Sequence, residues 1–405
     1  MRILLIAPHE YYIDRGSPIG VDVLVRALSA RGETVDLVVY RGGEDRQYPG
    51  VTIHRPRTPS WLGVIPPGFS LKKVVADFWL YATVRRLVSR HRYDVVHAGE
   101  EAVFFAMWFR VLRHIPYVYD MDSSIAEQMV ETHPWLRPLA WLFNWCETRA
   151  IRSALATAPV CNALTDHARA RGARHITTLH DISQMTPDDL APAESIREKF
   201  GLRHPIVMYV GNLEPYQGID LLLEAFARVL EQGVPLDLVI AGGSPVHIAM
   251  YQQKARRLKI DGTTHFIGPW PAARLGALLT QADIVTAPRI RGINTPMKVF
   301  PYLHSGRPVL VTDLPTHTQI LDASVCELAA AEPEAFAAAL IRLARDPERR
   351  RALGQAGRKF VERNHVYAAH KNRVNELYDH VARELGVVTP APSEQPRGAS
   401  ATPRH

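Results

Sequence analysis

The chain has 405 residues, 47% of them apolar and 22% charged, which is the composition of a globular protein and excludes wholesale disorder. Its 48 Lys and Arg against 41 Asp and Glu leave a formal charge of +7. That favours anionic partners, yet no zinc-finger spacing or arginine tract singles out nucleic acid. The longest apolar run, Ala102 to Phe109, falls far short of the roughly 18 residues a membrane span needs.

The opening MRILLIAPHE is too short for a secretory signal and predicts a buried first strand over Arg2–Ala7. A helical pattern over Val21–Ala30 follows, closed by Gly32. Further β-rich apolar runs are predicted at Thr34–Tyr40, Val51–His54, Tyr93–His97, Pro116–Tyr119, Ala154–Val160 and His175–Leu179. Strands alternating with helices mean βα units and parallel sheets with helices on both faces. Near Asp181 the rhythm lapses into a polar, Pro-containing linker. It restarts as PIVMYVG, a helix over Ile219–Glu231, LDLVIAGG, a helix over Ile248–Leu258 and HFIG. A helix over Ala272–Gln281, DIVTAP, a helix over Pro296–His304 and RPVLVTD complete a second unit. Helices follow from Pro333, and the last covers roughly His365–Glu384. The expected division is 1–183, 184–364, a terminal helix at 365–386 and a Pro-rich disordered tail at 387–405.

Three cysteines, Cys146, Cys161 and Cys326, are odd in number and widely spaced, which argues against a disulfide framework and fits a reducing cytoplasm. No His-Glu-x-x-His pattern, Gly-x-Ser-x-Gly elbow, Walker loop or Gly-x-Gly-x-x-Gly occurs. Zinc, hydrolase and nicotinamide readings are therefore disfavoured.

Four segments carry a resemblance: the opening strand, loop and helix with Gly16; YVGNLEPYQGIDLLLEAFARVL; ADIVTAPRIRGINTPMKVFPYLHSGRPVLVTDLPTHTQIL; and the helical tail with DPERRRALGQAGRKFVE. In order and spacing they resemble the family 4 retaining glycosyltransferases of GT-B fold. The resemblance implies two Rossmann-like, doubly wound domains facing a central cleft, the carboxy-terminal one for a UDP- or GDP-sugar donor and the amino-terminal one for the acceptor. It further implies retention of anomeric configuration, a setting in polysaccharide, glycolipid or cell-envelope assembly, and no metal or resident cofactor. The sequence also departs from the family. Asn212 and Gln217 stand where an Arg and a Lys grip the donor diphosphate, Ile293 and Pro301 where two glutamates stand, and Asp122 where a His is usual. A non-catalytic GT-B-like binding subunit and a nucleotide-sugar epimerase are the alternative readings.

A diphosphate leaving group needs fixed cations and backbone N–H groups. Arg289, Arg291 and Lys298 run from a strand end into the next helix, with Thr295 expected as its N-cap and Pro296 at its first position. This cluster is the expected substitute for the missing Arg and Lys. Gly16, in a loop, and Gly242, at a strand end, permit close approach of a ligand or serve as turn glycines. His317 and Thr318 either contact the donor or cap a short helix. Asp120 and Asp122 in YDMDSS could bind sugar hydroxyls or support a cationic anomeric centre. An Asp-x-Asp metal site and a helix cap at Ser123 are the other readings of that pair. Finally, 61–92 holds six cations and one acid among apolar residues, which suits either an anionic inner-membrane face, with a lipid-linked acceptor, or a solvated helix face.

Overall fold

The computed structural model describes residues 1–13, 16–63, 65, 70–191 and 194–387; nearly all of the expected tail lies outside the described residues. The chain forms two units. One comprises Met1–Val160, Leu164–Leu179 and the chain from Lys371; the other comprises Cys161–Ala163 and His180–His370.

The first unit runs β1 (Arg2–Glu10), α1 (Gly16–Ala30), β2 (Thr34–Tyr40), β3 (Val51–His54), α2 (Leu71–Arg90), β4 (Val95–Gly99) and α3 (Ala102–Arg113). It continues with β5 (Tyr117–Met121), α4 (Ile125–Thr132), a 3-10 turn at Pro134–Leu139, α5 (Ala140–Ser153), β6 (Ala156–Pro159) and α6 (Asn162–Ala170). The sheet is parallel throughout, in the order β3-β2-β1-β4-β5-β6. The run ILLIA in β1 is buried on both faces because helices cover both sides. Ile3, Leu5 and Ala7 join one core with Leu24, Val25 and Leu28 of α1. Leu4 and Ile6 alternate to the other face, where α2 and α3 pack. The expected strand at His175–Leu179 is reduced to one parallel bridge, Thr157 to Ile176, with a further backbone bond from Leu179 N–H to the Pro159 carbonyl at 2.9 Å.

The second unit has α7 (Ile196–Lys199), β7 (Ile206–Val210), α8 (Ile219–Glu231), β8 (Asp237–Ala241), α9 (Pro245–Arg257), β9 (Thr264–Gly268) and α10 (Leu275–Leu279). Then come β10 (Ile284–Ala287), α11 (Val299–His304), β11 (Val309–Thr312), α12 (Pro315–Thr318), β12 (Glu327–Ala329), α13 (Pro333–Arg345) and α14 (Pro347–Asn364). Its parallel sheet is ordered β12-β11-β10-β7-β8-β9. Helix α8 forms because Ile219, Leu222, Leu223, Phe226 and Val229 recur at helical spacing, and all five are fully buried. Each such side chain stabilises the fold by roughly 1.5–3 kcal/mol relative to exposure.

The last helix, α15 (Tyr367–Leu385), sends Val374, Leu377, Tyr378 and Val381 into the core of the first unit, among α1 and β1 residues. Arg31, just past α1, reaches the backbone oxygen of Asn375 and pairs with Asp379 at 2.5 Å.

Candidate functional site

In a doubly wound sheet the ligand crevice opens beyond the carboxyl ends of the strands where the strand order reverses. In the second unit that point lies between β7 and β10. Three of the expected donor residues converge there. Lys298 Nζ donates to the Tyr209 hydroxyl at 2.7 Å and to Gln217 Oε1 at 3.0 Å, and lies 4.4 Å from the centre of the Tyr209 ring. Arg289, just past β10, donates from Nε to the carbonyl of Arg291 at 2.7 Å, and its guanidinium stands 5.3 Å from the Tyr216 ring centre. Burial and then the charge of Arg289 push Lys298 down to about 7; burial also lowers Arg289. Among the described residues no carboxylate acts on either cation.

Glycines clear the ground around this ammonium. Gly211 takes φ +149°, and a Cβ on it would stand 2.4 Å from Lys298 Nζ. Gly242 takes φ +109°, and a Cβ there would stand 2.1 Å from the Gly211 carbonyl oxygen. Only glycine lets the ends of β7 and β8 approach so closely. Asn212 is exposed; its carbonyl accepts from the Tyr209 hydroxyl at 2.5 Å and its Oδ1 accepts from the Glu214 N–H at 3.4 Å. Gln217 is buried against Lys298, so the position expected to carry a cation instead accepts a bond from one.

The expected cap at Thr295 and first position at Pro296 are not observed. Helix α11 begins at Val299, with Lys298 as its helix-like boundary residue. Thr295 is buried, and its hydroxyl has no hydrogen-bond partner among the described residues. The preceding loop is held from the next element instead: Thr316 donates to the Asn294 carbonyl at 2.6 Å and Gln319 Nε2 to the Ile293 carbonyl at 2.7 Å. His317 is fully buried on α12, its Nδ1 3.0 Å from the Thr312 carbonyl oxygen, while Nε2 has no partner among the described residues. Burial outweighs that bond and lowers His317 to about 4, so the ring is neutral near pH 7. Thr312 ties the two elements together by donating to the Arg289 carbonyl at 2.5 Å. Arg291 and Thr318 are exposed; the first contributes its carbonyl to Arg289, and the second returns its hydroxyl to the Leu314 carbonyl.

In the first unit Gly16 opens α1 instead of lying in a loop, and a Cβ there would touch nothing within 4 Å. Asp120, next to the end of β5, has Oδ2 3.2 Å from His97 Nε2, and His97 Nδ1 meets the Tyr378 hydroxyl at 2.9 Å. Ser124, not Asp122, caps α4, accepting from the Glu127 N–H at 3.3 Å. Sequence reasoning placed Lys73 in a solvated or lipid-facing helix, whereas it is buried between Glu100 at 3.0 Å and Glu101 at 2.7 Å. Burial and the Glu100 charge push Glu101 up; against burial, Lys73 holds Glu100 down. Asp77, accepting from the Tyr40 hydroxyl at 2.5 Å, rises to about 6 through burial. Tyr209 and Lys73 are the residues that sequence reasoning missed; both sit in patterns typical of an ordinary strand and helix. Among the described residues no group of three or more His, Cys, Asp or Glu could hold a metal ion.

Residues 192–360 match the family model described as glycosyl transferases group 1, and residues 15–181 match the glycosyl transferase 4-like domain. The chain is similar to D-inositol 3-phosphate glycosyltransferase of Corynebacterium efficiens, 28% identical over 49% of this chain and 48% of that one. It is also 27% identical to the GDP-mannose-dependent alpha-(1-6)-phosphatidylinositol monomannoside mannosyltransferase of Mycolicibacterium smegmatis, over 50% of this chain and 55% of that protein. The chain spans about half the length of the curated relatives it matches. Sucrose-phosphate synthase from Thermosynechococcus elongatus superposes with a TM-score of 0.78 at 17% identity, covering 95% of this chain and 99% of that one. HepE from Anabaena in complex with UDP-glucose gives 0.70 at 14% identity, over 94% and 99%. The fold is GT-B, and both halves of the chain carry domains of glycosyltransferase type.

Proposed function

We propose that the protein is a glycosyltransferase that moves a sugar from a UDP- or GDP-sugar to a hydroxyl acceptor. One observation carries this reading. Two neighbouring cations, Lys298 and Arg289, stand at the reversal point of the second sheet with no carboxylate among the described residues acting on either. Partly desolvated cations without a counter-charge need an anion, and a diphosphate supplies it at the place where such sheets bind nucleotides. Burial lets the protein hold Lys298 close to neutrality until the anion arrives, after which the charge is fixed without reorganisation as the leaving group develops. Gly211 and Gly242 let the ends of β7 and β8 close up beside the Lys298 ammonium, and Thr295 Oγ1 and His317 Nε2 are buried polar atoms without a partner among the described residues. With cations in these places the transfer needs neither a metal nor a resident cofactor. Retention of configuration, a glycan or lipid-linked acceptor and work at the cytoplasmic face of a membrane complete the proposal. They rest on the resemblance and on relatives such as the phosphatidylinositol monomannoside mannosyltransferase.

Calorimetric titration of UDP, GDP and their sugars, with chelator present, tests it. Preference for one nucleotide, lost in Lys298→Ala, and turnover of the matching sugar support the proposal. A binding-only subunit is the second reading, favoured by Ile293 and Pro301 at the places of the family's two glutamates. It predicts weak or no nucleotide binding by folded protein, and no turnover on any acceptor.

A further inference from the structure

Two other lysines of the chain show what a carboxylate does to an amine. Against burial, Glu100 and Glu101 raise Lys73; against burial, Asp220 at 2.5 Å and Glu224 at 2.7 Å raise Lys254. Both are held as ammonium, which has no lone pair and does not react. Lys298 is set differently, because its two partners are neutral: the Tyr209 hydroxyl at 2.7 Å and Gln217 Oε1 at 3.0 Å. The hydrogens around it have one arrangement. The Tyr209 phenol donates its own proton to the Asn212 carbonyl at 2.5 Å, so towards Lys298 its oxygen accepts, as Gln217 Oε1 does. An uncharged amine has two N–H bonds and one lone pair. Tyr209 and Gln217 take up the two N–H bonds, and neither has a hydrogen to give the lone pair, which is left for a third group.

Space and charge favour a reaction there. A Cβ on Gly211 would stand 2.4 Å from Nζ, so glycine keeps that side of the amine clear. With Lys298 lowered to about 7 by burial and then by Arg289, roughly half of it is uncharged near pH 7, against about one in three thousand for a lysine at the ordinary 10.5. A desolvated lysine beside a second cation is the setting in which the amine becomes a nucleophile towards carbonyl compounds. Arg289 supplies the other half of the site. Its guanidinium keeps its charge, lies near enough to act on Lys298, and suits a phosphate group. A small molecule that carries both a phosphate and an aldehyde therefore meets a binding cation and an attacking amine side by side.

We infer that Lys298 is a covalent modification site for phosphate-bearing aldehydes, forming an imine at Nζ while Arg289 holds the phosphate. The amine lone pair makes a C–N bond to the aldehyde carbon and the C=O π pair moves to oxygen. Both amine hydrogens then leave with that oxygen as water, and the C=N bond takes their place. The modified protein has lost the ammonium with which it would fix a diphosphate. The inference goes beyond the transfer reading and does not rest on it, since the chemistry needs no nucleotide. Pyridoxal 5′-phosphate is the probe: the full chain is incubated with it near pH 7, reduced with borohydride and mapped by peptide mass spectrometry. Lys298 should be modified at least about tenfold faster than any other lysine, and at least about tenfold faster than by pyridoxal, which lacks the phosphate. Gln217→Glu, which sets a carboxylate against Nζ, should slow the labelling by about tenfold or more with the lysine still in place. Lys298→Arg should abolish the labelled peptide. Labelling spread evenly over the lysines overturns the inference, and so do equal rates with pyridoxal. Both are read on the wild-type protein, so a variant that fails to fold cannot obscure them. Labelling of Lys298 in a protein that binds no nucleotide would uphold this inference while the transfer reading fails.

Discussion

Lys298 gives one proton to the phenol of Tyr209 and another to the amide oxygen of Gln217, so both of its partners are neutral acceptors and neither compensates its charge. Burial and the nearby Arg289 lower it to about 7, and this sets the pH dependence of anything that binds there. A diphosphate favours the charged lysine and raises its pKa in the complex. Nucleotide affinity should therefore be full below about pH 7 and fall as pH rises towards the higher pKa of the complex. At pH 8 binding should take up a proton, read by calorimetry in buffers of different ionisation enthalpy. Lys298→Met should abolish that uptake and weaken binding at least tenfold, about 1.4 kcal/mol.

The same lysine costs stability when no anion is bound. Its folded pKa lies below the ordinary 10.5, so between about 7 and 10.5 the unfolded chain binds more protons and the lysine's contribution makes stability rise with pH. Lys298→Met removes that slope. The variant should melt no lower than the wild type at pH 7 while binding nucleotide less well. A variant that melts clearly lower would show that the lysine is a stabilising strut.

His317 gives the opposite end of the pH scale. It is lowered to about 4 from 6.5, so on acidification the unfolded chain gains its proton first. Its contribution to stability is whole above about 6.5 and is lost as pH falls towards 4. In His317→Gln, acid melting between these values should be shallower, as denaturant midpoints at several pH values would reveal.

Gly242 and Gly211 should separate stability from binding. A methyl group at Gly242 meets the Gly211 carbonyl oxygen, which is backbone and cannot yield, so Gly242→Ala should cost the second unit a few kcal/mol. At Gly211 the first atom met is Lys298 Nζ, the mobile end of a long side chain. Its φ of +149° strains any side chain, so Gly211→Ala should lose nucleotide affinity as well as stability, whereas Gly242→Ala loses mainly stability, when melting and calorimetry are compared.

Lys73 is the counter-ion of Glu100 and Glu101, and removing it strands buried carboxylates. Lys73→Met should destabilise the first unit by about 3–5 kcal/mol, with Glu101→Gln restoring part of that loss. Chemical denaturation of the three variants checks the pattern, and additive losses would argue against the pairing.

What could be read in the sequence follows physical lines. Strands buried on both faces announce themselves as unbroken apolar runs, so ILLIA and LVIA were unmistakable and the two α/β rhythms followed from them. The cation cluster at Arg289 and Lys298 was legible because charges beside a buried strand are unusual. Boundaries were not: Gly16 reads as a loop glycine, yet it begins α1, and the stretch from Thr295 reads as a capped helix although α11 starts only at Val299. The bond from Lys298 to Tyr209 spans 89 residues of sequence, and a tyrosine inside an apolar strand gives no local sign of such a contact. Nor did the basic stretch of α2 betray that Lys73 turns inward while its neighbour Lys72 stays in water.

The passage of α15 into the first unit bears on how the chain is made. Val374, Leu377, Tyr378 and Val381 belong to the same core as Ile3 and Leu24, and the Tyr378 hydroxyl meets His97 Nδ1 at 2.9 Å. A ribosome has therefore delivered all of the second unit before the first can complete its packing. The earlier-made half must wait, partly unfilled, while the later-made half has its own core residues in hand. A nascent chain stalled or cut after His370 should expose the first unit to proteases while the second already resists them.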